Sequence, residues 1–132
     1  MRIAITGGPQ TGKTTLAVDM VADRKDRGID PDAVLIHGDD FIELGWSQSS
    51  QALAHAMRAP GPWVAEGVQV PRALRKALDQ GAGRPCDRLL VLERPWLELS
   101  PGQRAMAKGV DTVLAEILPE LRARGVAIEV AA

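Results

Sequence analysis

Short apolar runs alternate with longer, mostly amphipathic segments along the chain. The apolar runs cover residues 2–6, 33–37, 63–67, 87–93 and 126–130, and runs of this length are typical of buried strands. The segments between them are predicted to be helical over residues 13–27, 49–58, 72–80 and 101–124. Continuously apolar strands separated by helices indicate a parallel sheet that is covered on both faces. The pattern therefore predicts an α/β fold with five parallel strands.

Local signals define where several helices begin or end. Pro71 suits the first turn of the third helix. Ser100 followed by Gln103 is the capping-box pattern, with Pro101 at the first helical position. This last helix is expected to be bent or interrupted near Gly109 and Pro119. The polar stretch before residue 49 is expected to be a loop that contains Trp46.

Composition limits the class of protein. The 132 residues, numbered 1–132, are enough for one domain. Sixteen basic residues against seventeen acidic ones give a net charge of −1, which argues against nucleic acid as a main partner. A single cysteine excludes an internal disulfide and a multi-cysteine zinc site. Without an apolar stretch of roughly 18 residues or a secretory signal, the chain is predicted to be cytoplasmic, with no membrane association.

A phosphate-binding motif stands between the first strand and the first helix. Residues 7–14, GGPQTGKT, match G-x-x-x-x-G-K-[ST], the Walker A or P-loop pattern. Glycines let backbone amides approach phosphate oxygens, and the helix N-terminus adds positive potential. We expect Lys13 to reach the β- and γ-phosphates and the Thr14 hydroxyl to bind Mg²⁺. The cofactors predicted are ATP and Mg²⁺, and the nucleotide-binding residues predicted are Gly8, Gln10, Thr11, Gly12, Lys13, Thr14 and Thr15.

Carboxylates follow the second and third strands. Asp39 and Asp40 come after strand 2, and Glu66 ends strand 3. Right-handed crossovers favour strand 1 inside the sheet and the order 2-3-1-4-5, so these groups should meet near Lys13. One could accept a proton from an attacking hydroxyl, and another, for which we select Asp40, could bind Mg²⁺ with Thr14. The alternative is that the aspartates are turn residues or helix caps.

The three motifs together resemble the P-loop kinase superfamily, in the branch of uridine kinase, nicotinamide riboside kinase and pantothenate kinase. Asp39-Asp40-Phe41 is similar to the Asp-x-Phe element of that branch, and residues 64–67 are similar to its Val-x-Glu-Gly. The resemblance covers residues 2–70. It implies a three-layer P-loop NTPase fold in which Asp39 is the general base and Glu66 lies beside the acceptor and the metal.

The chain departs from that branch in two places. Gln10 stands where many of these kinases carry glycine. The arginine-bearing lid between strands 4 and 5 is reduced, because only residues 94–125 separate them. Arg104 and Lys108 lie one helical turn apart and are candidates for a minimal lid. We select Arg104 as a catalytic residue. The alternative is that both side chains belong to a solvated basic face of the helix.

Other side chains have both a functional and a structural interpretation. Arg72 and Arg75 could bind an acidic acceptor, or they could simply lie on the surface of a helix. The same two interpretations apply to Arg94, which follows strand 4. Trp46 could stack on an acceptor base or anchor its loop. His37 is expected to be a hydrogen-bonded core residue, and Cys86 inert packing.

Three functions follow from these residues. The leading one is an ATP-dependent phosphotransferase, a kinase acting on a hydroxyl of a small molecule such as a nucleoside or nucleotide. The second is an NTPase coupled to a protein or nucleic-acid partner, and the third a non-catalytic nucleotide-binding module. A homodimer is left open.

Overall fold

A computed structural model describes residues 1–81 and 83–131. Its five strands and four α-helices alternate along the chain. The strands are β1 (Arg2–Gly7), β2 (Val34–His37), β3 (Trp63–Glu66), β4 (Arg88–Leu92) and β5 (Ala127–Ala131). The helices are α1 (Lys13–Asp26), α2 (Trp46–Ala56), α3 (Val70–Gln80) and α4 (Pro101–Ala123). Between β2 and α2, Gly38–Leu44 forms a 3-10 helical segment.

All five strands are parallel and form one sheet in the order β2-β3-β1-β4-β5. The central strand β1 is buried from Ile3 onwards. The ends of β2 and β3 are in register, with His37 opposite Glu66, and Ile5 of β1 is opposite Glu66 on the other side. This confirms the predicted α/β class, three-layer P-loop NTPase fold and strand order. It also brings the P-loop and the ends of β2 and β3 to one edge of the sheet.

Helices cover both faces of the sheet. On one face, α1 packs Ala17, Leu16 and Met20 against the β1 residues Ile3 and Ile5. On the other face, α2, α3 and α4 enclose the larger core, which includes Leu53, Leu74, Leu89, Leu114 and Leu121. The fully buried Trp63 anchors this core, and its indole N–H donates to the Ala59 carbonyl at 3.0 Å. The site is therefore built on a rigid, well-packed scaffold.

Two sequence expectations differ from the structure. The last helix was expected to be bent or interrupted, and the interruption is wrong, because α4 runs continuously past Gly109 and Pro119; the bend stays a prediction. Proline inside a helix costs about 3 kcal/mol, and burial of Ile117 and Leu121 on either side offsets that cost. Trp46 is not in a loop: it is the first residue of α2, after Gly45 with φ of 83°. The predicted capping box of Ser100 and Gln103 is confirmed.

Cys86 lies in the core and makes no disulfide. Burial raises the pKa of its thiol to about 12, which agrees with the expected packing role. None of the helices in the described part of the chain combines the length and the hydropathy that a membrane span needs.

Candidate active site

The P-loop joins the end of β1 to the start of α1. Gly12 precedes the helix with φ of 86°, a left-handed conformation that favours glycine. No side chain of the described residues caps α1, so the amides of its first turn stay free of side-chain partners. Free amides at a helix N-terminus bind phosphate oxygens well. The loop is therefore open to an anion at the position that the sequence predicted.

Two glycines of the loop lie under neighbouring elements. A Cβ atom on Gly8 would lie 2.8 Å from the Cβ atom of Ala107 in α4. A Cβ atom on Gly12 would overlap the indole ring of Trp96, which belongs to the connection between β4 and α4. The Trp96 amide also donates to the Gln10 carbonyl at 2.6 Å. The Trp96 connection and α4 thus hold the loop in place.

Gln10 adopts a positive φ of 62°. A residue with a side chain pays about 1–2 kcal/mol for this left-handed conformation, whereas glycine does not. This explains why glycine suits the position in the kinases that the chain resembles. In this chain, the hydrogen bond from Trp96 to the Gln10 carbonyl helps to hold the strained residue.

We expect Gly12→Ala to lower the free energy of unfolding by about 1–2 kcal/mol, because alanine is strained at φ of 86°. Contact with the Trp96 ring adds to this cost. Chemical denaturation of Gly12→Ala, Trp96→Ala and the double variant separates the two effects, since only the ring contact is relieved in the double variant. A Gly12→Ala protein as stable as the wild type would contradict this description of the loop.

Lys13 is partly buried beside the loop. Its ammonium donates to the Gly8 carbonyl at 2.7 Å and lies 3.5 Å from Thr11 Oγ1. Thr11 Oγ1 in turn donates to the same carbonyl at 2.9 Å. Burial lowers the pKa of the Lys13 ammonium, and the negative charges of Glu66 and Asp39 act in the opposite direction. The ammonium and both carboxylates line one cavity.

A cavity of 380 Å³ lies in front of the loop. Lys13, Thr14 and Thr15 line it together with Asp39 and Glu66. Its remaining lining residues are Pro9, Gln10, Gly12, Ile42, Val68, Trp96 and Met106. The structure therefore brings together five of the seven predicted loop residues, all but Gly8 and Thr11, and two of the three predicted carboxylates.

Asp40 and Arg104 are not among the lining residues of this cavity. Asp40 is exposed in the 3-10 segment, so its predicted role as a metal ligand stays a prediction. Arg104 donates to the Leu99 carbonyl at 2.9 Å, at the exposed start of α4, and Lys108 is also exposed. The lid role of these two cations likewise stays a prediction.

Glu66 is almost fully buried at the end of β3. His37 Nδ1 lies 3.0 Å from Glu66 Oε1, across the register pair formed by the ends of β2 and β3. With its proton on Nδ1, the imidazole donates to the carboxylate and fixes its orientation. The expected hydrogen bond of His37 is confirmed, with the site carboxylate Glu66 as partner, but the expected core position is not, because the His37 side chain is 31% exposed.

The pH dependence of ATP affinity should reflect Lys13. Its pKa lies below 10.5, so the charge that attracts phosphate is lost at a lower pH than for a free lysine. Because the Glu66 charge raises that pKa, Glu66→Gln should move the alkaline fall in affinity to still lower pH. Calorimetric titration with ATP from pH 7 to 10.5 measures the midpoint of this fall for the wild type and for Glu66→Gln. Glu98→Gln is the control, because Glu98 is exposed. A midpoint that Glu66→Gln leaves unchanged or raises would contradict the assignment.

Sequence reasoning did not identify Trp96, Ile42 or Met106 as lining residues. All three belong to segments after strand ends, where the chain carries no recognised motif. Trp96 and Ile42 are exposed by 68% and 52%, which the sequence does not show; its signal is that each is a large apolar residue in a connection between elements. Their position over the P-loop depends on how the connection and α4 fold back.

The loop suits a nucleotide phosphate and Mg²⁺. Two features support this: the start of α1 is uncapped, and the Lys13 ammonium has no hydrogen-bond partner among residues 1–81 and 83–131 other than loop oxygens. Among the described residues there is no group of three or more metal-ligating side chains. A Mg²⁺ ion in such a site takes one or two protein oxygens and several phosphate or water oxygens, and the Thr14 hydroxyl at the cavity could supply one of them.

Comparisons with known proteins add little to this description. No family model and no curated protein matches the chain. A similar solved structure is a KaiC-like protein from the hyperthermophilic archaeon Pyrococcus horikoshii OT3, with 17% identity, 98% of this chain covered and a TM-score of 0.31. The chain spans 61% of that protein's length. At this TM-score the likeness carries no weight, and the fold assignment depends on the topology and the P-loop.

Proposed function

We propose that the protein is an ATP-dependent phosphotransferase that phosphorylates a hydroxyl group of a small molecule. The observation that carries the proposal is that Asp39 lines the same cavity as Lys13, Thr14 and Thr15. Asp39 is exposed to that cavity and has no ion-pair partner among residues 1–81 and 83–131. An exposed carboxylate beside a phosphate-binding loop is suited to accept a proton from an acceptor hydroxyl.

In the proposed reaction, the amides of the loop and Lys13 bind the donor phosphates and balance their charge. Mg²⁺, when bound by the Thr14 hydroxyl and phosphate oxygens, neutralises the charge that develops on transfer. The acceptor hydroxyl donates its proton to Asp39 while its oxygen forms a bond to the γ-phosphorus. The bond from that phosphorus to the β-phosphate oxygen breaks, and ADP leaves. Asp39 then returns the proton to solvent.

Glu66 supports a second candidate function, ATP hydrolysis coupled to a partner. It is buried, lines the cavity and is oriented by His37, so it could hold an attacking water. In that case no acceptor would be needed. The exposed, unpaired Asp39 favours the kinase, because hydrolysis gives that residue no role.

A thermal-shift experiment distinguishes the two. The protein is melted with a non-hydrolysable ATP analogue and Mg²⁺, with each of a panel of hydroxyl-bearing small molecules, and with both. A kinase should show an additional stabilisation that requires both ligands, of about 2.7 kcal/mol when the second ligand is at 100 times its Kd. Stabilisation by the analogue alone, with no acceptor adding to it across nucleosides, nucleotides and hydroxy acids, would favour the hydrolase.

A further inference from the structure

Three neighbouring cavities extend from the P-loop along the N-terminal half of α4. The first is the 380 Å³ cavity at Lys13 and Asp39. The second, of 240 Å³, shares Ile42 and Met106 with the first. The third, of 310 Å³, shares Trp46 and Met106 with the second. Since Met106 lines all three, the cavities adjoin in a row that leads away from Lys13 and Asp39, and we call this row the groove.

The middle cavity has apolar walls and a polar floor. Ile42, Trp46 and Met106 form the walls, and Ser49 and Gln69 lie below them. The buried Gln69 amide donates to the Gly38 carbonyl and to Ser49 Oγ, each at 2.9 Å. Its Oε1 atom has no hydrogen-bond partner within the described residues. This atom is fully enclosed and lies against the backbone of Gly38 and Gly67, so a ligand in the cavity meets mainly the apolar side chains of Ile42, Trp46 and Met106.

The far cavity is positively charged. The Arg72 guanidinium lies over the Trp46 ring, 4.9 Å from the ring centroid, and makes no ion pair with any described residue. Arg75, one turn further along α3, is instead paired with Glu116 at 3.0 Å. Opposite Arg72, α4 presents Gly102, Ala105 and Gly109. These small residues leave the guanidinium accessible, whereas larger side chains would fill the cavity.

The size of the groove fits a small acceptor. Small-molecule sites measure roughly 300–1,000 Å³, so the middle and far cavities together have room for a compact molecule. Its hydroxyl would lie at Asp39, its apolar or aromatic part against Trp46 and Met106, and its far end at Arg72. An arginine held in place by an aromatic ring, without a protein carboxylate, is suited to bind an anionic group in a bidentate manner.

We infer that the groove formed by Ile42, Trp46, Ser49, Gln69, Arg72 and Met106 binds an acceptor with an anionic group, a carboxylate or a phosphate monoester, at the end remote from its reacting hydroxyl. This inference rests on the proposed function, because that function places the reacting hydroxyl of the acceptor at Asp39. It goes beyond that function because it names the charge of the substrate and the residue that selects it.

The test uses probes in pairs that differ only in charge. One pair is 4-(hydroxymethyl)benzoate and its amide, and the other is uridine 3′-monophosphate and uridine. Calorimetry without ATP measures binding, and ADP release with ATP measures turnover. The variants are Arg72→Gln, the charge-retaining Arg72→Lys, and Lys76→Gln, which removes one charge elsewhere on α3. Thermal melting of each variant verifies that it is folded.

We expect the wild type to bind the charged member of at least one pair about 10- to 100-fold more tightly than the neutral one. The pair that shows this preference identifies the carboxylate or the phosphate. Arg72→Gln should abolish the preference, mainly through Kd and KM and less through kcat, while Arg72→Lys keeps part of it and Lys76→Gln keeps all of it. If Arg72→Gln does not fold, the charge preference of Arg72→Lys is compared with that of the wild type, and an unchanged preference would overturn the inference.

Failure of this inference is distinguishable from failure of the proposed function. Neutral and charged probes that bind equally well, or a preference that survives Arg72→Gln, would overturn the inference, even if hydroxyl acceptors stimulate ADP release. An Arg72-dependent preference in binding supports it. If that preference appears but no acceptor stimulates ADP release, the proposed kinase function is overturned, whereas the groove remains an anion-selective binding site.

Discussion

Lys13→Ala is expected to reduce ATP turnover by about 10²- to 10³-fold, the usual effect of removing one preorganised group that stabilises charge in the transition state. Among the described residues, the hydrogen-bond partners of the ammonium are the Gly8 carbonyl and Thr11 Oγ1 of the loop itself. The side chain is not part of either hydrophobic core. Its loss should therefore affect the nucleotide and leave the fold intact. ADP release under saturating ATP and calorimetric ATP affinity measure the effect.

Lys25→Ala is the matched control for this variant. Lys25 lies in the last turn of the same helix, at the end remote from the loop, and is exposed. Its removal changes the net charge by the same amount without touching the cavity. If Lys13→Ala bound and turned over ATP as the wild type does, the P-loop assignment would be wrong.

Asp39→Asn is expected to lower acceptor-dependent turnover by about 10²- to 10⁴-fold, the usual contribution of a general base. Asparagine keeps the size of the side chain but cannot take the proton of the acceptor hydroxyl. ATP affinity should change little, because the loop amides and Lys13 hold the donor. Rates of ADP release with and without acceptor, together with ATP binding by calorimetry, measure the two effects separately.

Glu43→Gln provides the control, since Glu43 is exposed in the same 3-10 segment and does not line the cavity. The informative comparison is with Glu66→Gln. ADP release that ignores every acceptor, survives Asp39→Asn and is lost in Glu66→Gln would mean that Glu66 orients water and that the protein is a hydrolase.

The sheet could be predicted from the sequence because its signals are local. Each strand is a short apolar run, each connection contains a helix, and the handedness of crossovers limits the strand order. The same reasoning brought Lys13, Asp39 and Glu66 to one edge of the sheet, where the structure shows them around one cavity. The P-loop could be recognised from the spacing of its residues and from its position between a strand and a helix.

The parts that sequence reasoning missed depend on contacts between distant segments. Trp96 lies over Gly12 because the connection after β4 folds back onto the loop. Met106 lines the groove because α4 passes over the P-loop with Ala107 against Gly8. No period or motif in residues 94–110 predicts those contacts.

Trp46 and α4 show how tertiary packing overrides local signals. Gly45 and the polar residues around it suggested a loop, yet α2 begins directly after Gly45, and the Ser50 hydroxyl bonds to the Trp46 carbonyl at 2.8 Å. Pro119 suggested a break in α4, yet burial of the helix on both sides of it keeps the helix continuous.

Transfer of the γ-phosphoryl group to an organic hydroxyl is tested most directly by identifying the product that carries this group after the reaction. The protein is incubated with γ-³²P-labelled ATP, Mg²⁺ and a panel of hydroxyl-bearing small molecules, neutral and anionic, and the labelled products are separated. We expect label in an acid-stable organic phosphate ester whose formation requires Asp39 and Lys13. Label that appears only as inorganic phosphate, at a rate that no acceptor changes, would contradict it.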